Sequence, residues 1–538
     1  MHDDYDYLII GSGFGGSVAA MRLTEKGYRV GVLEAGRRWK KEDFPKTNWN
    51  LRRFVFMPFL GLRGIMRFSL FPHVMVLSGA GVGGGSLVYA NTLYEPPQRF
   101  YKQGAWSKLL DWEKALTPHY ATAKRMMGVT QSPFKGPGDK ALEDCARDLG
   151  REHTFQPTPV AVHFGQPGET TPDPYFDGEG PDRVGCTLCG GCMVGCRVGA
   201  KNTLDRNYLY FAEKGGAQIL PERMVVDIKE VEEGKYRVTT ERSGAWFFKD
   251  RQTLTCRGVI LSAGVLGTMK LLHRSKLNGS LPKLSPRLGD KVCTNSESIL
   301  GVTAHNDDVD YSQGLAITAS VYVDDDTHME VVRYPKGSGL ISTLGVYLTD
   351  GGTRFQRWAK FLGNTLRHPI ASLRIRWPFK WAQRTSILLA MQTIENYIRL
   401  EPKRLGSWLR LTTRVEKGKG IPTYIPLANQ VARDFANRVG GTPQSSVNEV
   451  LWNAPATAHI LGGAPMGETA EEGVIDAYNR VHGYKNLYVC DGSMVPGNLG
   501  VNPSLTILAM TEHAMSHIPF KDEANSQIEI RQEVSARV

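Results

Sequence analysis

Cysteine is scarce, eight among 538 residues, which rules out the disulfide framework of small secreted domains. Long hydrophobic runs are missing too. The most apolar stretch, Phe54 to Leu62, holds Pro58 and stops at Arg63, well short of the roughly 18 residues that cross a bilayer. The amino terminus has no basic stretch or long apolar core of an export signal, because Met1-His2-Asp3-Asp4-Tyr5-Asp6 is acidic and leads into only Tyr7 to Ile10. These absences predict a cytoplasmic protein that does not span a membrane. No internal repeat and no nucleic-acid recognition module is visible, so nucleic acid is not an expected partner. With 41% hydrophobic and 22% charged residues, long disorder, collagen and coiled coil are excluded. Glycine is plentiful at 58, and 65 Lys and Arg exceed 54 Asp and Glu by 11. The length suits two to four domains at roughly 150 residues each.

Tyr5 to Ile10 reads as a buried strand, Gly11-Ser12-Gly13-Phe14-Gly15-Gly16 as a turn and Ser17 to Lys26 as a helix. Val30 to Leu33 is the next strand and ends at Glu34, where a carboxylate accepts from ribose hydroxyls. Gly11 makes the turn, Gly13 admits a pyrophosphate and Gly16 lets the helix pack on the strand, leaving the helix amino terminus to hold negative charge. This predicts dinucleotide binding on an α/β, Rossmann-type fold, with NAD and FAD both open. A second glycine run, Gly79-Ala80-Gly81-Val82-Gly83-Gly84-Gly85-Ser86 with Asn91 just beyond, is too dense for a hairpin and suits backbone lying flat on a bulky planar ligand.

The two glycine runs together resemble the glucose-methanol-choline (GMC) family of FAD-dependent oxidoreductases. The resemblance continues through Val259 to Ala263-Gly264, through Ala458-His459-Ile460-Leu461-Gly462-Gly463, and through Asp491-Gly492-Ser493 to Gly500-Val501-Asn502-Pro503-Ser504. Within the family the wording is most similar to the cholesterol oxidase-like branch. It implies FAD, held by Gly11, Gly13, Gly16, Glu34, Gly79, Gly81, Gly84, Gly85, Ser86, Asn91, Ala263, Gly264, Asp491, Gly492, Asn502 and Pro503. It also implies catalysis by His459, taking or bonding the hydroxyl proton, and Asn502, donating to the developing alkoxide. In that branch a carboxylate shifts a ring double bond after oxidation. The matching segment Val332 to Ile341 contains no acid; Glu330 and Glu395 are nearest and are expected to be surface or structural, so an unisomerised ketone is the expected product.

Cys186, Cys189, Cys192 and Cys196 follow the spacing C-x-x-C-x-x-C-x-x-x-C, which suits an iron-sulfur cluster, 3Fe-4S or 4Fe-4S, passing electrons from flavin to a one-electron carrier in place of oxygen. Free thiols in a glycine-rich turn and a zinc ion are the alternatives. Arg354 to Arg384 holds eight Lys or Arg, no Asp or Glu, and Phe355, Trp358, Phe361, Trp377, Phe379 and Trp381. A helix over Arg354 to Leu366 fits a peripheral contact with the inner face of the membrane, an ordinary solvated face over a core-packed helix being the alternative, and Arg52, Arg53, Arg63 and Arg67 around Phe54 to Leu70 repeat the pattern. The expected FAD-binding domain is discontinuous, from about 1–50, 75–130, 186–300 and 455–520; a substrate-binding cap with a mostly antiparallel sheet covers 300–455, and 521–538 is a tail. The reading is oxidation of a sterol or other apolar alcohol, with a membrane-docked flavoprotein dehydrogenase or electron-transfer component acting on a non-sterol alcohol as the alternative.

Overall fold

Tyr7 to Ile10 are buried on both faces, as in a central parallel strand. In the computed structural model, which describes residues 3–406, 408–415 and 420–522, they belong to the first of two large sheets. It contains β1 (Tyr5–Ile10), β2 (Val30–Leu33), β3 (Gln218–Leu220), β4 (Arg223–Glu232), β5 (Lys235–Arg242) and β6 (Gln252–Leu261), in the order β3-β2-β1-β6-β5-β4. The strands from β3 to β6 in that order run parallel, and the short strand Leu487–Val489 adds to β6 in the same sense. Helix α1 (Phe14–Glu25) links β1 to β2, and α2 (Gly264–Leu277) follows β6. This is the Rossmann-type architecture that the first glycine turn predicts.

Backbone contact, rather than side-chain packing, fixes the turns above this sheet. A Cβ on Gly11 would lie 2.2 Å from the carbonyl oxygen of Ser262, one on Gly15 1.7 Å from that of Cys490, and one on Gly84 2.5 Å from the Cα of Gly13. Gly11 also has φ +101°, a conformation costly for any residue with a Cβ. The second glycine run is thereby clamped onto the first, and the 490 segment onto α1.

The second sheet is antiparallel. Its strands β7 (Ser298–Ala304), β8 (Ile317–Tyr322), β9 (Thr327–Val332), β10 (Gly345–Tyr347), β11 (Thr385–Gln392) and β12 (Gly441–Ser446) lie in the order β10-β12-β7-β11-β9-β8, with Gln156–Pro157 beyond β8. Alternation along each strand gives it two faces. Met329 and Val331 of β9 and Leu388 and Ala390 of β11 pack with Leu142 of helix Pro137–Asp148 and with Val431 and Phe435 of helix Pro426–Val439. Val332, Leu389, Met391 and Ile317 form the other face and pack with Ala90 and Met193, so it looks toward the dinucleotide-binding part. Helices α3 (Arg354–Arg367) and α4 (Pro369–Arg376) are inserted between β10 and β11; Thr353 caps α3 by accepting from Gln356 N–H. Among the described residues no helix is long and apolar enough to cross a membrane. Of the tail expected at 521–538, residues 523–538 lie outside the described residues.

Gly13 and Gly15, two residues apart with very different surroundings, make a discriminating pair. A Cβ on Gly13 meets no protein atom within 4 Å, so Gly13→Ala is expected to fold normally yet retain less than about a tenth of the FAD. Gly15→Ala drives a methyl into backbone and is expected to lower the urea midpoint, overpacking of this kind costing about 1–3 kcal/mol or more. Denaturation curves and flavin fluorescence after acid release check both.

Candidate active site

The amino terminus of α1 opens at Gly13, and its free backbone N–H groups suit a pyrophosphate. Open space over Gly13 and over Gly264, whose φ is +70° and whose Cβ would meet nothing within 4 Å, is room for a ligand rather than for side chains. Glu34 is buried; one carboxylate oxygen accepts from Ser12 N–H (3.1 Å) and Ser12 Oγ–H (2.7 Å), the other from Gly36 N–H (2.7 Å). It thus braces the turn. Gly79 ends a strand, and a Cβ there would strike Gly84 carbonyl oxygen at 2.6 Å; Gly81 has φ +132°, and Gly85 lies against the Phe14 ring. Ser86 Oγ donates to Gly83 carbonyl (2.7 Å) and accepts from Leu204 N–H (3.0 Å). Asn91 is buried with φ 70°. Ala263 caps α2, Asp491 accepts from Ser493 N–H (2.8 Å) and Thr268 Oγ–H (2.5 Å), and burial pushes its carboxyl upward against those bonds. Gly492 carbonyl accepts from Gly462 N–H (2.8 Å), which ties the 490 segment to the loop of His459, and Pro503 caps helix Ser504–Ser516. These cradle residues fit an FAD.

His459 and Asn502 come together as the sequence predicts: Asn502 Nδ2 stands 3.5 Å from His459 Nε2. The same amide nitrogen lies 3.4 Å from Glu330 Oε2. Here the structure overturns an expectation. Glu330 is 0% exposed, on β9, on the face of His328 and Val332 that looks toward the dinucleotide part; Glu395 is the surface residue it was expected to be. Burial drives the Glu330 carboxyl up to about 8, although His459 and Asn502 pull it back. A second missed residue is Glu297, also buried, whose carboxylate contacts His459 Nδ1. Burial disfavours a charged imidazole, but Glu297 and then Glu330 outweigh it, and the His459 pKa moves above 6.5. Glu330 did leave a signal, an acid on the inward phase of an otherwise apolar strand. Glu297 left none, because Thr294-Asn295-Ser296-Glu297-Ser298 is polar throughout.

The four clustered cysteines line a single cavity of about 270 Å³ with Lys201 and Leu315. They do not form the expected metal centre: among the described residues no three His, Cys, Asp or Glu side chains gather closely enough to hold a metal ion. Burial also pushes the Cys186 thiol up to about 12 and the Cys192 thiol upward, whereas metal ligation needs thiolates, and Cys189 is exposed. The iron-sulfur relay is therefore not supported, and no step runs through it.

A Rossmann cradle with a histidine and a carboxamide fixed by loops tied to its edge defines an oxidoreductase that works on a nucleotide cofactor. Family models described as GMC oxidoreductase match residues 181–293 and 417–511, and one described as an NAD(P)-binding Rossmann-like domain matches 9–39. The chain is 49% identical to a cholesterol oxidase of Acinetobacter baumannii, over 97% of this chain and 96% of that protein, and 48% identical to a cholesterol oxidase of Mycobacterium tuberculosis, over 98% and 93%. Among solved structures it is similar to pyridoxine 4-oxidase from Mesorbium loti, with TM-score 0.63, 14% identity and coverage of 95% and 99%. The chain belongs to the GMC oxidoreductase family. It is an FAD-dependent oxidoreductase of CH–OH donors.

His459→Ala is expected to keep FAD bound and to slow reduction of the flavin by alcohol at least about 100-fold, the scale of losing a general base. Anaerobic stopped-flow spectra at 450 nm, roughly the absorption of oxidised flavin, measure this directly.

Proposed function

We propose that the protein oxidises the hydroxyl of a sterol or similarly apolar alcohol, with oxygen as final acceptor, and then isomerises the resulting unsaturated ketone. The observation that carries this reading is the triad of His459 Nε2, Asn502 Nδ2 and Glu330 Oε2 at 3.4–3.5 Å spacings, set beside a sheet face of Ile317, Val332, Leu389 and Met391. Its substrate class is that of the curated relatives named cholesterol oxidase. FAD, when bound, accepts the hydride that leaves the carbinol carbon. His459 Nε2 accepts the hydroxyl proton while Asn502 Nδ2–H donates to the oxygen as it becomes an alkoxide and then a carbonyl. Isomerisation needs no redox change: the Glu330 carboxylate removes a proton from the carbon between carbonyl and alkene and returns it at the far alkene carbon. The apolar face shields both steps from water.

A lipid surface is the source of substrate in this reading. On α3, α4 and the segment after them, Phe355, Leu366, Ile370, Leu373 and Phe379 are 65–82% exposed, and Arg354, Lys360, Arg367, Arg374 and Lys380 flank them without any acid from 354 to 384. Apolar side chains ringed by cations suit an anionic bilayer. The structural basis for a helix over 354–366 is α3 itself. These features support a peripheral contact with the inner face of the membrane.

Three measurements test the proposal. A 3-hydroxy-5-ene steroid should yield the conjugated enone, read at about 240 nm as expected of an enone chromophore, and Glu330→Gln should yield the unconjugated ketone with FAD reduction nearly unchanged. Since the Glu330 carboxyl titrates at about 8 and only its carboxylate can act as base, isomerisation of the pre-formed ketone should rise as pH passes through about 8; a flat profile would remove Glu330 from the step. In sedimentation with phosphatidylcholine vesicles containing phosphatidylglycerol, Phe355→Ser with Ile370→Ser should abolish the binding shown by wild type.

A further inference from the structure

The turn that precedes β7 has an unusual conformation: Asn295 and Ser296 both have positive φ, 59° and 47°, although each carries a Cβ. Side-chain bonds hold it there. Asn295 Oδ1 accepts from Gly500 N–H (2.8 Å) and Asn295 Nδ2–H donates to Val501 carbonyl (2.9 Å), while Ser296 Oγ accepts from Asn498 (3.2 Å). The turn is thus bonded to the very loop that delivers Asn502. On its other side Thr457 Oγ–H donates to Thr294 carbonyl (3.1 Å), and Thr457 Oγ accepts from His459 N–H (2.8 Å). At the end of the turn Glu297 reaches under His459: one oxygen accepts from Ala458 N–H (3.0 Å), and the other contacts His459 Nδ1.

We propose that Glu297 is a positioning residue for alcohol oxidation, taking the Nδ1–H of His459 so that Nε2 is left as the atom that receives the hydroxyl proton. The inference rests on the reading of His459 as proton acceptor. An imidazole has one acceptor nitrogen when neutral, and which one is set by the bond the other makes. With Nδ1–H committed to Glu297, Nε2 is free to accept; before substrate arrives it faces Asn502 Nδ2–H. When the alcohol gives its proton to Nε2, the ring becomes a cation with Glu297 against its other edge, and the proton on Nδ1 stays where it is. The pairing is the logic of carboxylate–histidine dyads in hydrolases, applied to an alcohol. The charged or titratable groups that face His459 are Glu297 from this turn and Glu330 from β9; Asn502 is neutral. Glu330 cannot substitute for Glu297, because it lies on the Asn502 side.

The experiment is nitrogen-15 NMR of histidine-labelled, FAD-loaded enzyme, with the His459 resonances identified by their loss in His459→Asn. In wild type the neutral ring should carry its proton on Nδ1; a proton on Nε2 would overturn the proposal without any variant. In Glu297→Gln the carboxamide oxygen can still accept Nδ1–H but carries no charge. The His459 midpoint should therefore fall by at least about one pH unit, equivalent to a tenfold change in its proton affinity. The limb of the flavin-reduction profile should move down with it, while KM for the alcohol changes less than about threefold. Glu297→Asp, which keeps the charge, should return the midpoint toward wild type, and it carries the test if the Gln variant does not fold. A midpoint that does not move in folded Glu297→Gln, or a limb that moves without the midpoint, sinks the proposal. Full alcohol turnover in His459→Ala would instead defeat the underlying reading, while leaving the NMR result on Nδ1 intact.

Discussion

Four backbone segments approach until no side chain can stand between them, and the placement of the other groups around them follows from that. Gly11 against Ser262, Gly15 against Cys490 and Gly84 against Gly13 are contacts that a single methyl would break. They bring the ends of β1 and β6, the second glycine run and the segment beyond strand Leu487–Val489 to one point above the parallel sheet. Hydrophobic burial stabilises the sheet, since Leu8, Ile9, Val259, Ile260 and Leu487 are almost wholly inaccessible. Burial is non-directional, however, and would tolerate a shift that the glycine contacts forbid.

The two glycine runs that make those contacts were the most legible part of the sequence, although their distant partners were not. A strand, a glycine turn, a helix and an acid form a local pattern of short range, and each glycine answers a local need, so reading along the chain recovers them. Helix α3 was readable for the same reason, as its apolar and basic positions recur with helical period. Glu330 and Glu297 belong to a different kind of information. What makes Glu330 a site residue is that β9 pairs with β11 and turns its His328, Glu330, Val332 phase inward; strand pairing is a long-range fact with little trace in the residues themselves. Glu297 depends on a turn whose conformation is dictated by partners some 160 to 200 residues away, Ala458 and Gly500. The cysteines failed in the opposite direction. Their spacing is local and suggestive, but ligation requires side chains to converge, and the turn lays them along a cavity wall.

The antiparallel sheet serves two masters. One face is given over to Leu142, Val431 and Phe435 of its covering helices and stabilises the sheet; the other carries a carboxyl amid Ile, Val, Leu and Met side chains. Placing Glu330 there is unfavourable for an ionised group, and the structure meets this by holding the group protonated over most of the neutral range, its pKa at about 8. Asn502 is the link between that strand residue and the histidine of the Ala458 to Gly463 loop, touching both with one amide nitrogen.

The order of synthesis adds a constraint of its own. Glu34 and the first glycine turn leave the ribosome early, but strand Leu487–Val489, which completes β6, and Asp491 to Asn502 are near the carboxyl end. At the usual rate of chain growth the gap is on the order of a minute. Through that interval the parallel sheet lacks an edge and the cradle lacks a wall, so the nascent chain is an open half-site for the coenzyme. The cradle therefore closes only after Asp491 to Asn502 have been made, hundreds of residues after Glu34.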